Sequence, residues 1–141
     1  TMASELLDDY EEGTFSPTAA ATSATITHSV KAGQYTKIGD RVFFNVYMQF
    51  DGSNTLNSNA VSISGFPFTS NSTGLNIQYI KVFGRFIDYS SGYHDLAILL
   101  NTGTATAQLF EFGDNNAQQG IASNALSHSS GQLYFQGSYR V

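Results

Sequence analysis

The feature that most constrains the chain is residues 42–50, where Val42, Phe44, Val46, Met48 and Phe50 are apolar at every second position. Successive side chains of a strand point to opposite faces, so this uninterrupted period of two commits one face to a core. The other face carries Phe43 and Tyr47 among polar residues and also asks for cover, which a neighbouring subunit would supply. A second extended run leads into residues 42–50 across Ile38-Gly39-Asp40-Arg41, which reads as a hairpin turn.

The rest of the 141 residues follows the same logic. Residues 14–18 read as an edge-like strand, because Pro17 cannot donate to a ladder interior. Residues 25–30 alternate Ile26, His28 and Val30 with threonine and serine, and Lys31-Ala32-Gly33 is expected to turn the chain toward Tyr35. Val61 and Ile63 alternate with serines, and Phe66-Pro67-Phe68 needs a shelf to pack on. Residues 75–86 form a second long strand, with Leu75, Ile77, Tyr79 and Phe83 on one face and Ile80 and Val82 on the other. Antiparallel sheets usually leave one face in water, so a strand apolar on both faces points to assembly. The expected subunit interface is therefore Phe43, Tyr47, Ile80 and Val82. Residues 95–101, 105–112 and 133–141 complete the set, with Thr102-Gly103-Thr104 as a turn and Leu133, Phe135, Tyr139 and Val141 sharing a face. Residues 5–12 are expected as a short helical turn broken by Gly13. Eight to ten short strands without an amphipathic helix predict an all-β fold, an antiparallel β-sandwich of jelly-roll type.

Composition narrows the function classes. There is no cysteine, hence no disulfide framework or thiolate metal site. Five of the eleven acids are Glu5, Asp8, Asp9, Glu11 and Glu12; the six that remain balance the six bases, so the net charge of −5 belongs to the N-terminal tail. A neutral body with scattered bases offers no stripe for phosphates, and nucleic acid is not an expected partner. No apolar run approaches the roughly 20 residues that cross a bilayer, so membrane insertion is not expected.

Two polar loops are the candidate ligand site: residues 89–94, with Tyr89, Tyr93 and His94, and residues 113–120, with Asp114, Asn115, Asn116 and Gln118. Aromatic faces cover the apolar face of a sugar ring, while amides and carboxylates match its hydroxyls. Two strands separate the loops, which places both at one end of an up-and-down arrangement. No metal or cofactor is expected. The tail acids lack the glycine-containing twelve-residue loop of an EF-hand, and His28, His94 and His128 have no ligand spacing. His28, alternating with Ile26 and Val30, reads as a partly buried, hydrogen-bonded histidine. Polysaccharide hydrolysis needs two carboxyls across a cleft, and Asp88, Asp95, Glu111 and Asp114 are expected at turns or exposed strand ends. With no GxSxG elbow either, the chain is not expected to be an enzyme.

Leu7-Asp8-Asp9-Tyr10-Glu11-Glu12-Gly13-Thr14-Phe15-Ser16-Pro17-Thr18, followed by Gly33-Gln34-Tyr35-Thr36-Lys37-Ile38-Gly39-Asp40-Arg41-Val42, resembles the C-terminal domain of bacteriophage tail fibres and tailspikes. That domain opens on an LDDYEEGTW(T/S)PT-like phrase and continues to a YTKIGNRV-like hairpin. Gly65-Phe66-Pro67-Phe68 and the closing Gly137-Ser138-Tyr139-Arg140-Val141 are similar to its later phrases, while Phe15 stands for the usual tryptophan and Asp40 for the usual asparagine. The resemblance implies a homotrimeric β-sandwich tip formed by residues 13–141, with residues 1–12 as an acidic junction to an upstream fibre shaft. It implies a receptor-binding role at a host cell surface, typically on glycan, and a place in the virion tail fibre. A purely structural trimerisation cap, or the tip of a bacterial adhesin at the cell surface, are the alternatives.

Overall fold

The computed structural model describes residues 9–73 and 78–141. Ten strands follow in chain order: β1 (Tyr10–Phe15), β2 (Thr18–Ala20), β3 (His28–Ile38), β4 (Arg41–Phe50), β5 (Ser62–Ser64), β6 (Gln78–Arg85), β7 (Asp95–Leu100), β8 (Thr106–Phe112), β9 (Gln119–Gly120) and β10 (Gln132–Arg140). They form one antiparallel sheet in the order β1-β3-β4-β10-β6-β7-β8-β5-β2, with β9 added to β8. The sheet curls into a half-barrel around its core. The all-β antiparallel class is as expected, and the strands join in one continuous ladder. A single turn of 3-10 helix, Ser123–Leu126, is the helical element among the described residues.

The inward face of β4 builds the core as its alternation demands, with Val42, Phe44, Val46, Met48 and Phe50 no more than 5% exposed. Each such side chain contributes roughly 1.5–3 kcal/mol relative to an exposed position. Phe44 lies edge-on to Phe66 at 5.3 Å and to Tyr139 at 5.9 Å, so Phe66 finds its shelf on β4 and β10. Tyr139 is fully buried, and burial pushes its phenol up to about 12. Its hydroxyl donates to the Phe68 carbonyl at 3.0 Å and accepts from the Phe68 amide at 3.3 Å, tying the segment after β5 to the last strand. That last strand, β10, is inserted between β4 and β6. Leu133, Phe135 and Tyr139 face inward from it.

Four local expectations are corrected. Residues 28–38 are one strand, with a register shift between His28 and Val30, and Lys31-Ala32-Gly33 does not turn. Gly33 is there for close approach: a Cβ would fall 2.6 Å from the Phe15 ring, which packs over that backbone. The expected strand at 14–18 is two, β1 and β2, separated by Ser16 and Pro17. Glu11 and Glu12 belong to β1, opposite Lys37 and Thr36, and are not helical; residues 5–8 lie outside the described residues. Ile80 and Val82, expected in a subunit interface, are core residues at 7% and 2% exposure. Tyr79 and Phe83 take the outer face of β6 instead, at 49% and 68%. Ile80 fits where β10 presents no bulk, since a Cβ on Gly137 would lie 2.9 Å from it. Leu75 and Ile77 lie outside the described residues.

His28 is half-buried at the start of β3, its ring 5.4 Å from that of Phe50, and its Nε2 accepts the Ala19 amide at 3.2 Å. It thereby joins β3 to β2, near the point where the two ends of the sheet approach. Burial, and then the charge of Lys31, push its pKa below the ordinary 6.5, against a smaller opposing pull from Asp51. The unfolded chain therefore takes up this proton first. The contribution of neutral His28 to stability is complete above about pH 6.5 and is lost as pH falls below it toward the folded value. The melting temperature should fall more between about pH 7.5 and about pH 5 for the wild type than for His28→Gln, as read by thermal melts of both. Parallel pH dependence would show that the Ala19–His28 bond does not couple to folding.

Candidate functional site

The ladder determines what shares the face turned away from the core. Outward Phe43, Asn45, Tyr47 and Gln49 of β4 stand opposite Ser138, Gln136, Tyr134 and Gln132 of β10, and Tyr134 stands opposite Phe83 of β6. Tyr47, Tyr134 and Phe83 thus form a row across three strands, with the two tyrosine rings stacked at 4.7 Å. Desolvation and the neighbouring phenol raise the pKa of Tyr47. Tyr79, further along β6, meets Phe112 edge-on at 5.8 Å and Phe110 at 6.4 Å. The large hydrophobic residues most exposed among the described residues are Tyr10, Ile38, Phe43, Tyr79, Phe83, Phe86 and Tyr134. All but Phe86 sit on this outer face. Of the expected interface residues, the structure brings Phe43 and Tyr47 together there and removes Ile80 and Val82 to the core.

The middle of the face is polar. An open concavity of about 880 Å³ is lined by Gln34, Asn45 and Gln136, with Thr14, Thr36 and Phe43 around them. The three amides are in register across β3, β4 and β10. Among the described residues they make no side-chain hydrogen bond. At the β1 end, Glu12 accepts the Tyr10 hydroxyl at 2.7 Å. At the β6 end, the Arg85 guanidinium lies 4.7 Å from the Phe86 ring centroid, and that ring stacks on His128 at 4.6 Å. Phe86 has φ +54°, a left-handed backbone that a bulky residue seldom adopts. Nothing in the sequence pattern marks this three-layer stack.

The two candidate loops do meet at one end of the sheet. The Asn116 amide donates to the Gly92 carbonyl at 3.0 Å, the Tyr93 hydroxyl donates to the Ala117 carbonyl at 2.9 Å, and His94 Nε2 lies 3.7 Å from Asp114 Oδ1. The loops are so close that a Cβ on Gly113 would fall 1.8 Å from the Gly92 carbonyl oxygen. Asn115 is exposed with φ +60°, and Gln118 donates to the Tyr79 hydroxyl at 2.7 Å, linking the loops to the outer face. Tyr89 stands apart from this cluster. It packs half-buried against the core and lines a smaller hollow of about 360 Å³ with Asp88, Ser90 and Asn124. Burial, then the charges of Asp95 and Glu111, raise its pKa.

The carboxylates are engaged in holding the fold. Asp95 pairs with Lys81, which keeps its carboxyl below the usual range, and Asp88 accepts the Ser127 hydroxyl at 3.0 Å. Glu111, expected at an exposed strand end, is fully buried because its β8 position faces inward. It accepts the Ser90 amide at 3.0 Å and the Gln119 side-chain amide at 2.7 Å, clamping the first loop to β9. Among the described residues no group of three His, Cys, Asp or Glu side chains could hold a metal ion.

No protein-family model matches the chain, and no curated protein is significantly similar to it. Among solved structures it is similar to the Dettilon tailspike protein gp208, with a TM-score of 0.77 at 22% identity over 93% of this chain. The match covers 24% of the tailspike chain, so this chain spans about a quarter of that protein's length. The likeness is one of fold.

Both partners of Glu111 are donors, so an isosteric amide would set a donor against a donor. Glu111→Gln should cost about 1–3 kcal/mol in denaturant unfolding and make the 89–94 loop more susceptible to limited proteolysis. An unchanged denaturation midpoint would show that the buried carboxylate holds nothing together.

Proposed function

We propose that the chain is the homotrimeric tip of a phage-type tail fibre, placed in the virion tail and attaching to a host cell surface through glycan. The observation that carries this reading is the outer face: the core is already complete within one chain, yet six of its most exposed large hydrophobics gather on the other side of the same sheet. A large exposed apolar patch marks an interaction site. Copies of the same chain are the partner favoured here, in line with the fold shared with a domain-sized part of a tailspike. Residues 1–12 would join an upstream shaft and residues 13–141 would form the tip. Attachment falls to the loop cluster of Tyr93, His94, Asp114, Asn115, Asn116 and Gln118, with Tyr89 as a flanking contributor. Its amides, phenols and carboxylate suit neutral hydroxyl-rich ligands. The reading involves binding without catalysis, since three of the four carboxylates considered for hydrolysis, Asp88, Asp95 and Glu111, are occupied within the fold.

A purely structural cap is the second reading, and one observation favours it: Tyr93, Asn116 and Gln118 already spend hydrogen bonds on other parts of the chain. The tip of a bacterial adhesin would present the same surfaces on a different carrier.

The pure domain should sediment as a trimer, and Phe83→Asp should dissociate it while circular dichroism shows the fold retained. A trimeric Phe83→Asp would remove the outer face from assembly. Tyr93→Ala combined with Asn116→Ala should abolish binding to host cells at unchanged mass. Failure of the trimeric wild type to bind either cells or a broad glycan array would leave the cap reading in place.

A further inference from the structure

We infer that copies of this chain meet head to tail across the outer face, the β1–β3 shoulder of one, with Tyr10, Ile38 and Glu12, seated on the β6 shoulder of the next, with Tyr79, Phe83 and Arg85. The inference rests on the homotrimeric reading above and specifies the contact that the trimer uses.

The two shoulders are alike in apolar content, and Glu12 on one is opposite in charge to Arg85 on the other. Tyr10 and Ile38 are opposite one another in register and 48% and 46% exposed, while Tyr79 and Phe83 are 49% and 68% exposed. Each pair offers area that water covers poorly. Like on like would set Glu12 against Glu12 and Arg85 against Arg85. Unlike shoulders bring the acid to the base and bury both apolar pairs, and like-charge juxtaposition of this sort is a strong discriminator between docking modes.

Arg85 is prepared for such a contact. Elsewhere Arg140 lies 3.4 Å from Asp40, Lys81 pairs with Asp95 and Arg41 donates to Ser138, whereas among the described residues Arg85 has no ion pair and no side-chain hydrogen bond. Its guanidinium lies over the Phe86 ring, 4.7 Å from the centroid, and that ring accepts no conventional hydrogen bond. That contact restrains the side chain and leaves its edge N–H groups free for a carboxylate. Phe86 has a left-handed backbone conformation and its ring stacks on His128, so the Arg85 platform is positioned before any partner arrives. Glu12 is exposed, and its hydrogen bond from the Tyr10 hydroxyl occupies one carboxylate oxygen, leaving the other.

A contact between unlike shoulders is heterologous, and it closes into a ring when the rotation per copy is right. The polar row Gln34, Asn45 and Gln136 lies between the shoulders, in a concavity that Glu12 also lines. It would face the interior of the ring, where amides are readily satisfied by water or by one another.

The test is a charge exchange in the full chain: Glu12→Arg, Arg85→Glu and the double variant, compared with wild type by sedimentation and by subunit exchange between differently labelled copies, with circular dichroism to establish folding. Each single reversal should speed subunit exchange by about tenfold or more, because every seam of the ring changes at once, and the double variant should recover most of the loss. Singles that exchange at the wild-type rate, or a double variant weaker than both, overturn the seam. An acidic ligand as the occupant of Arg85 would appear as a Glu12→Arg variant indistinguishable from wild type, which also overturns it. A monomeric wild type removes the homotrimeric reading and this one with it; a trimeric wild type with indifferent singles removes the seam alone.

Discussion

The pleat of β4 sends Val42, Phe44, Val46, Met48 and Phe50 inward, and its ladders with β3 and β10 then dictate which side chains of those strands share each face. A shift of one residue in the β4–β10 ladder would exchange the two faces beyond it, placing Tyr134 and Phe83 in the core and Phe135 and Val82 in water. Register is therefore the quantity that burial protects. The outer face inherits its order from the same source: the aromatic row and the amide row are straight because the inner rows are.

The molecule spends its polar chemistry mostly on itself. The Tyr139 hydroxyl, Glu111 and the amides of the paired loops each satisfy backbone groups that curling the sheet would otherwise strand. Buried side-chain polar atoms without a partner are absent among the described residues, as expected of a well-packed interior. Against that background the unpartnered groups stand out. Among them are the amides of the concavity and the Arg85 guanidinium, which lie on one side of the sheet.

The sequence made β4 legible because a five-fold alternation has only one strand solution, and it made β10 legible for the same reason. It also placed the two ligand loops at a common end, since β7 and β8 are short, consecutive and antiparallel. Three things were not readable. Gly33 looks like a turn residue, but its role depends on Phe15, which reaches it from a strand far away in sequence. The faces of β6 were inverted because Tyr79 and Phe83 are as apolar by pattern as Ile80 and Val82; the choice is made by volume, where Gly137 leaves room for an isoleucine. Glu111 looks like a solvent-facing acid until the partners that clamp it, Ser90 and Gln119, are brought in by the ladder between β7 and β8 and the β9 hairpin. In each case the missing information is a non-local contact, which single-chain periodicity does not carry.

The position of β10 has a consequence for the timing of synthesis. In the described ladder it is the only strand that joins the β1-β3-β4 half of the sheet to the β6-β7-β8-β5-β2 half. A ribosome making this chain releases both halves before the residues that unite them, and pairings between distant segments close slowly. Until residues 132–140 have emerged, neither Phe44 nor Phe66 has Tyr139 to pack on. A prematurely terminated copy thus lacks the join on which the full outer face depends, and would be a poor partner for any assembly built across it.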